Sequence, residues 1–299
     1  MQSATRTNSI LLTAAFLTAA ALFCAYPLLL PPAAAGETAL VLLAALTAPL
    51  HWGLMHESIH GKLMQSEAWN RRVGRWLGIT LCLDWDVMRV GHLFHHRANR
   101  HERDRPEELK PGQSWWSAAG PFFFQLFGGH ELGGLIAPLI IVLPLGTTEW
   151  ATRRILAGEP NSEMRMVALR AFCDPARRRR IRIDFAAIVA LLALAIWCWG
   201  AHWPVFAAAI AARFAVLSLL DNAPHYGTPR DSGTRACNSA LPRPFGLLVL
   251  NSNFHGVHHQ ASDLPWQELP QAFAQTGAAY DGRWIATVLR QFRGPVRLS

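Results

Sequence analysis

Thirteen histidines occur among the 299 residues, and nine of them stand at spacings that can do chemistry. His56 and His60 form H-x-x-x-H. His92, His95 and His96 form H-x-x-H-H, and His255, His258 and His259 form a second motif of that kind. His225 closes the segment Asp-Asn-Ala-Pro-His. On a helix, positions i, i+3 and i+4 share a face, so each motif can aim two or three imidazoles at one point. Imidazole suits iron, copper, zinc and nickel. Nine imidazoles exceed what one ion can use. They suit two ions with four or five ligands each and positions left open, whereas a structural zinc site closes with four ligands. His51, His130 and His202 stand outside the motifs and read as hydrogen-bonded bystanders. His101 follows the second motif but fits no face with it, which makes it a candidate for a supporting position beside the metal.

The elements that must position these residues are apolar. Hydrophobic residues make up 51% of the chain and charged residues 16%, against about 25% charged in an average soluble protein. The apolar residues are clumped. Runs over approximately 10–30, 38–56, 183–200 and 203–220 have about the length that crosses a bilayer. Residues 121–146 are apolar but broken by Gly128, Gly129, Gly133, Gly134, Pro138 and Pro144, which predicts a short kinked hairpin. The first run, followed by Ala33-Ala34-Ala35, mimics a signal peptide. It is long for one and leads straight into another span, so it is expected to remain. Residues 66–83 alternate arginine with tryptophan and aliphatic residues, as an interfacial amphipathic helix does. A last helix is expected within 267–293, starting near Pro270 and ending before Gly294.

The formal charge of +8 does not point to nucleic acid, because the basic residues gather in particular segments. Nine arginines lie in 152–182, read as a loop, and lysine and arginine in short loops mark the cytoplasmic side. That run is expected to meet anionic lipid headgroups. The 12 tryptophans suit an interfacial belt, with Trp197, Trp199 and Trp203 around one outer turn. Cys24, Cys82, Cys173, Cys198 and Cys237 are scattered and odd in number, which excludes a disulfide framework and a C-x-x-C metal site. The expectation is one all-α domain over 1–299. It is an integral-membrane, multi-pass helical bundle with four main spans plus a short membrane hairpin. A cytoplasmic histidine-rich cap is built from 57–116 and 221–299, with every histidine motif on one membrane face.

The motifs resemble the three histidine boxes of the membrane fatty acid desaturase and hydroxylase family, H-x3/4-H, H-x2/3-H-H and H/Q-x2/3-H-H, from about residue 51 to 270. By that resemblance His56, His60, His92, His95, His96, His255, His258 and His259 are metal ligands. His225 corresponds to the additional histidine that the family carries after its last span. Some relatives also use a nearby asparagine through a water. Here Asp221 and Asn222 stand four and three residues before His225, and either is a candidate. Leu264-Pro265-Trp266 and Leu269-Pro270 are similar to bacterial members, which implies a bacterial inner membrane. The resemblance implies two iron ions, O2 as co-substrate, and a fatty acid or lipid whose alkyl chain is desaturated or hydroxylated. Decarboxylation of a fatty acid to a terminal alkene and carotenoid hydroxylation or ketolation are further outcomes within the family. No His-Pro-Gly-Gly is present, so electrons are expected from a separate ferredoxin, rubredoxin or cytochrome b5 type donor.

One rival begins from the same residues. His56-Glu57-Ser58-Ile59-His60 is also a literal H-E-x-x-H, the zinc protease signature in which the glutamate is the general base. That reading lacks a Leu-Asp-Gly third ligand and leaves the other motifs unused. In the desaturase reading Glu57 accepts from a ligand imidazole and fixes its tautomer. A metal transporter or sensor is a third reading. It sits poorly with histidines gathered at one end of the spans.

Overall fold

The computed structural model describes residues 2–29, 33–98, 104–156, 163–229 and 236–298. His101 and the stretch 157–162 lie outside the described residues. Helices dominate. α1 (Gln2–Ala20) runs on through a π turn at Ala21–Ala25, and α2 is Ala34–Ile59. α3 (Glu67–Leu81) and α4 (Trp85–Ala98) follow. Next come α5 (Trp115–Phe124), α6 (His130–Ile136), α7 (Pro138–Val142), α8 (Leu145–Ile155) and α9 (Glu163–Cys173). α10 (Pro175–Trp199) and α11 (Trp203–Asn222) form a long antiparallel pair. Short helices α12 (His255–Gln260), α13 (Leu269–Thr276) and α14 (Trp284–Leu289) complete the chain. Strands β1 (Ser239–Ala240) and β2 (Gly282–Arg283) pair in parallel and tie the last segment to the one after α11.

Four helical segments are long and apolar enough to cross a membrane: Arg6–Leu29, Ala34–Ile59, Trp115–Val142 and Pro175–Asn222. The last holds both α10 and α11, and it reverses at Gly200, whose φ of 51° lies where a side chain is disfavoured. The molecule is an all-α membrane helical bundle. Where lipid surrounds a bundle, burial of apolar surface no longer drives helix association, and close packing and polar contacts must do so. Such contacts are present. Trp199 Nε1 donates to Leu22 O at 3.0 Å. Buried Arg213 donates to Thr80 O at 3.0 Å and lies 3.2 Å from His51 Nδ1, while Thr80 Oγ1 is 2.9 Å from His51 Nε2.

α3 packs against α1, α2 and α10. Ser66 Oγ caps it by accepting from the Trp69 N–H. Leu77 and Leu81 turn inward, while Trp69 and Trp76 are exposed. The helix stops at Cys82, which is left-handed with φ 62°, and the chain doubles back into α4. Gly78 permits that turn, since a Cβ there would stand 2.5 Å from Leu83 O. Trp85 Nε1 then donates to Ser58 Oγ at 2.8 Å, so α2, α3 and α4 meet in one joint.

The segment from α5 to α7, where a kinked hairpin is expected over 121–146, is broken in the structure. Helical geometry fails at Phe127 and Gly128, where Gly128 has φ 106° and packs against Phe214 and Ala215 of α11. Phe214 lies eight residues before Asn222, about 12 Å up the helix. The break at Gly128 therefore packs against the middle of α11. The flanking segments reach Tyr226 on one side, beside Phe122, and Leu83 and Met88 on the other, beside Gly134.

Two expectations need correction. The arginine-rich stretch is largely helical where described, because α9 covers Glu163–Cys173 and α10 begins at Pro175. Asp174 caps α10 through the Arg177 N–H at 2.7 Å, and Asp86 takes up part of the charge of Arg177 and Arg180, so the helix starts well before its apolar part. The single helix expected within 267–293 is divided. Gly277 ends α13 in the left-handed region with φ 65°, and Asp281 Oδ2 accepts the Asn238 N–H at 2.6 Å, which holds the chain extended before α14.

Candidate metal centre

Each histidine motif occupies a helix end or a short helix at one end of the bundle. His56 lies in the last turn of α2. His60 is its C-cap residue, and Gly61 with φ 76° leads the chain away. On α4 the Asp84 carboxylate accepts the Val87 N–H at 2.9 Å, and His92, His95 and His96 share one helix face. The opposite face, with Val87, Val90, Gly91 and Phe94, lines an apolar cavity of about 300 Å³. His225 follows α11 in a turn, with its N–H donated to Asn222 O.

α12 is only six residues long and is held from outside. Leu250 and Asn251 adopt positive φ just before it. Asn253 Nδ2 donates to Ser239 O at 2.9 Å, and Asn238 Oδ1 accepts the Val257 N–H at 3.0 Å. Gly256 is required there, since a Cβ would stand 2.7 Å from Ala236 O.

The nine motif histidines converge as two groups. His56, His60, His92, His96 and His258 form one, and His95, His225, His255 and His259 the other, with the donor atoms of each group within 4.8 Å of one another. The groups adjoin, because the rings of His96 and His259 stack with centroids 4.2 Å apart. Nε2 of His92 lies 2.9 Å from Nε2 of His60 and 3.0 Å from Nε2 of His96, and His96 Nε2 lies 3.1 Å from His258 Nε2. His95 Nε2 lies 3.1 Å from His225 Nε2.

These distances suit a shared cation. For metal–nitrogen bonds of about 2.1 Å, donors at right angles stand about 3.0 Å apart and opposed donors about 4.2 Å. A chain of imidazole hydrogen bonds accounts for the contacts less well. Among the described residues His56 Nε2 has no hydrogen-bond partner, though it is buried in this cluster, and a buried polar atom left unmatched is costly. A cation accepts all of these lone pairs together. The residues therefore fit a two-ion site.

The electrostatics favour neutral ligand rings. Burial, and then the neighbouring rings, hold His92, His255, His258 and His259 well below the usual histidine range. His60 is pushed down to about 4, by burial first and then by the charges of Arg89 and Lys62. A ring that stays neutral keeps its lone pair for a metal. His95 differs. Burial lowers its basicity too, but its contact with Asp104 outweighs that and leaves it raised.

The supporting residues are placed as follows. Glu57 Oε2 accepts the Trp266 N–H at 3.2 Å, while its Oε1 stands 3.9 Å from His56 Nδ1, longer than a hydrogen bond. Glu57 thus ties α2 to the segment after the last motif. Asn222 Nδ2 donates to Gln291 Oε1 at 2.7 Å, so its amide nitrogen is occupied away from the histidines. Asp221 lines a narrow cavity of about 60 Å³ together with Glu57, His56, His255 and His258. Trp52, Leu217, Leu220 and Leu269 give that cavity apolar walls. His101 lies outside the described residues. His51 is held by Thr80 and Arg213, His130 begins α6, and His202 stands 2.7 Å from Glu37 at the far end of the bundle, so none of the three joins either group.

Sequence reasoning missed Asp104, whose Oδ2 stands 2.6 Å from His95 Nδ1. Metal-ligating histidines commonly donate their second ring N–H to a carboxylate. An aspartate a few residues past the second motif was the available signal.

Comparison of the chain with curated proteins returned no match. The fatty acid desaturase family matches residues 31–288, a segment that contains all nine histidines and most of the bundle. By that match, which agrees with the order of the motifs and with the bundle that carries them, the chain belongs to the fatty acid desaturase family, a family of desaturase and hydroxylase-type oxidoreductases.

Proposed function

We propose that this protein is a membrane di-iron oxidoreductase that uses O2 and external electrons to desaturate or hydroxylate the alkyl chain of a fatty acid or lipid. The observation that carries the proposal is the partition of nine histidines into adjoining groups of five and four beside a narrow, apolar-walled cavity. Bound iron would supply the oxidising power that an unpolarised C–H bond demands.

The chain's own residues do the rest. His56, His60, His92, His96 and His258 hold one ion, and His95, His225, His255 and His259 the other. Trp52, Leu217, Leu220 and Leu269 admit an alkyl segment beside the rings and exclude water from it. Asp104 keeps the His95 Nδ1 proton in place, so that Nε2 presents its lone pair. Asp221 and Glu57 are the carboxylates on the cavity wall. The basic residues Lys62 and Arg89 lie close enough to His60 to lower its basicity. They favour an acidic electron donor of the ferredoxin, rubredoxin or cytochrome b5 type through electrostatic steering. The site faces the cytoplasm of a bacterial inner membrane in this reading.

The zinc protease reading is weaker. A protease of that kind binds one ion with three ligands and leaves its glutamate free to activate water. Here five imidazoles surround the first position, and Glu57 is bonded to the Trp266 N–H.

The test is mass spectrometry of lipids from a host with and without the expressed chain, together with elemental analysis of anaerobically purified protein. The proposal expects two irons per chain and an oxygen-dependent new lipid species. An alkene with two fewer hydrogens, an alcohol and a terminal alkene with one fewer carbon are distinguished by mass. One zinc per chain with no lipid change overturns it.

A further inference from the structure

The first two turns of α10 carry five arginines, and the helix sorts them onto two faces. Arg177 and Arg180 turn toward α4. Arg180 Nε and Nη2 stand 2.8 and 3.0 Å from the Asp86 carboxylate, and Arg177 Nε stands 3.3 Å from it. One turn on, Asp184 takes a bidentate bond from Arg75 at 2.6 and 2.7 Å. On that face cation and carboxylate are matched.

The other face is unmatched. Buried Arg178 donates to Thr148 Oγ1 at 2.8 Å, Phe172 O at 3.3 Å and Leu143 O at 2.6 Å. Arg182 Nη2 donates to Val142 O and Leu143 O at 3.1 and 3.2 Å. These acceptors are all neutral. Arg179 has no ion-pair partner among the described residues, and Glu149 on the neighbouring helix is held by Arg153 at 2.7 Å. Arg178, Arg179 and Arg182 line one surface cavity of about 440 Å³, and no carboxylate lines it with them. The remaining wall includes Leu145, Ile183 and Ala186. Leu145 and Ile183 are 50% and 52% exposed, and Ile183 leads into the membrane-length part of α10.

Three positive charges without counter-charge among the described residues, set beside exposed aliphatic side chains, call for a ligand that is anionic at one end and apolar at the other. We propose that this cavity binds the phosphate headgroup of an anionic phospholipid. Arg179 and Arg182 donate to the phosphate oxygens, and Arg178 supplies further charge from behind. Leu145, Ile183 and Ala186 lie along the acyl chain. An acidic protein surface would match the charge but not the apolar wall. The proposal is independent of the metals, and it assigns the headgroup contact to one face of α10 rather than to the whole basic stretch.

The test uses the purified full chain in detergent, with lipid binding followed by native mass spectrometry. The probes are phosphatidylglycerol, phosphatidylcholine and inorganic phosphate. Phosphatidylglycerol should bind at least about fivefold more tightly than phosphatidylcholine, since a basic side chain near an anionic lipid surface contributes about that factor. Arg179→Glu should remove the preference. Arg179 is exposed and has no ion-pair partner among the described residues, so this variant leaves the fold intact. Arg182→Gln should reduce the preference, and Arg177→Gln, on the face paired to Asp86, should leave it unchanged. Equal binding of the two lipids overturns the proposal, as does a preference that survives Arg179→Glu. Displacement of phosphatidylglycerol by an equal concentration of inorganic phosphate also overturns it, because the site is then one for the free anion.

Discussion

Asp104 Oδ2 lies 2.6 Å from His95 Nδ1, and this contact assigns the ring's tautomer. With the Nδ1 proton committed to the carboxylate, Nε2 is the atom that faces His225 Nε2 at 3.1 Å. Removing such a partner typically costs about 10–100-fold in metal affinity or activity. Asp104→Ala should weaken metal retention within that range. Asp104→Asn keeps an acceptor oxygen and should lie at the mild end. Titration of the loaded protein with a chelator measures both. Equal retention in the wild type and the alanine variant would show that the carboxylate does not support the ligand.

The grouping of the histidines predicts metal counts. His225→Ala removes one of four donors from its group and none from the other. Metal content should fall from about two ions per chain toward one. His202→Ala, at the far end of the bundle beside Glu37, should leave it unchanged. Elemental analysis of the purified variants decides the matter. A complete loss in His202→Ala would contradict the two-group arrangement.

Glu57 separates supporting from chemical roles. Glutamine retains an oxygen that can accept the Trp266 N–H now bonded to Glu57 Oε2. Glu57→Gln should therefore keep its metal and measurable oxygen-dependent lipid modification, whereas His56→Ala and His60→Ala should retain none. The assay is product formation with a supplied electron donor, with metal analysis of each variant. A Glu57→Gln protein that is fully loaded yet inactive places the carboxylate in the reaction itself.

Asp84 gives a pH dependence. Burial raises its carboxyl to about 7, the Val87 N–H opposes the shift, and the charges of Asp184 and Asp86 add to it. Oδ2 has no hydrogen-bond partner among the described residues. The folded value lies above the unfolded one, so the stabilising contribution of the protonated form is fully present below the unfolded value. It is lost as pH rises through about 7. Asp84→Asn removes that dependence while keeping an oxygen for the Val87 N–H. Between about pH 5.5 and 8.5 the wild-type melting temperature should fall relative to that of the variant. The difference is at most on the order of a few kcal/mol. Parallel melting curves across that window would count against the assignment.

Gly78 is a packing test. A methyl group there would stand 2.5 Å from Leu83 O, in the turn that joins α3 to the histidine helix. Gly78→Ala should destabilise the protein by about 1–3 kcal/mol, the usual cost of overpacking. Gly146→Ala, where no atom of the described residues lies within 4 Å, should be close to neutral. Thermal unfolding in detergent compares the two.

The histidines could be read from the sequence because their chemistry is coded in helical spacing. i, i+3 and i+4 survive into the structure whenever the segment is helical, and α4 and α12 are. The apolar helices were legible for the same local reason, as was the break at Gly128. What escaped depends on partners distant in the chain or on no periodic pattern. Glu57 finds the Trp266 N–H, separated by 209 positions. Arg177 and Arg180 extend α10 below its apolar part because Asp86 on another helix offsets their charge, which no local reading reveals. The last helix looked continuous because Gly277 is one residue in an otherwise helical composition, and only its left-handed backbone shows it to be a stop.

α4 sends His92 and His96 to one group and His95 to the other, and α12 sends His258 to one and His255 and His259 to the other. Two helices therefore bridge both metal positions. The spacing between the positions is inherited from covalent neighbours along a stiff backbone that rises about 1.5 Å per residue. Hinging either helix would disturb both positions at once. The pair is thus calibrated as a unit, and thermal motion of the surrounding spans reaches it as a shift of the whole frame rather than as a change in its internal gauge.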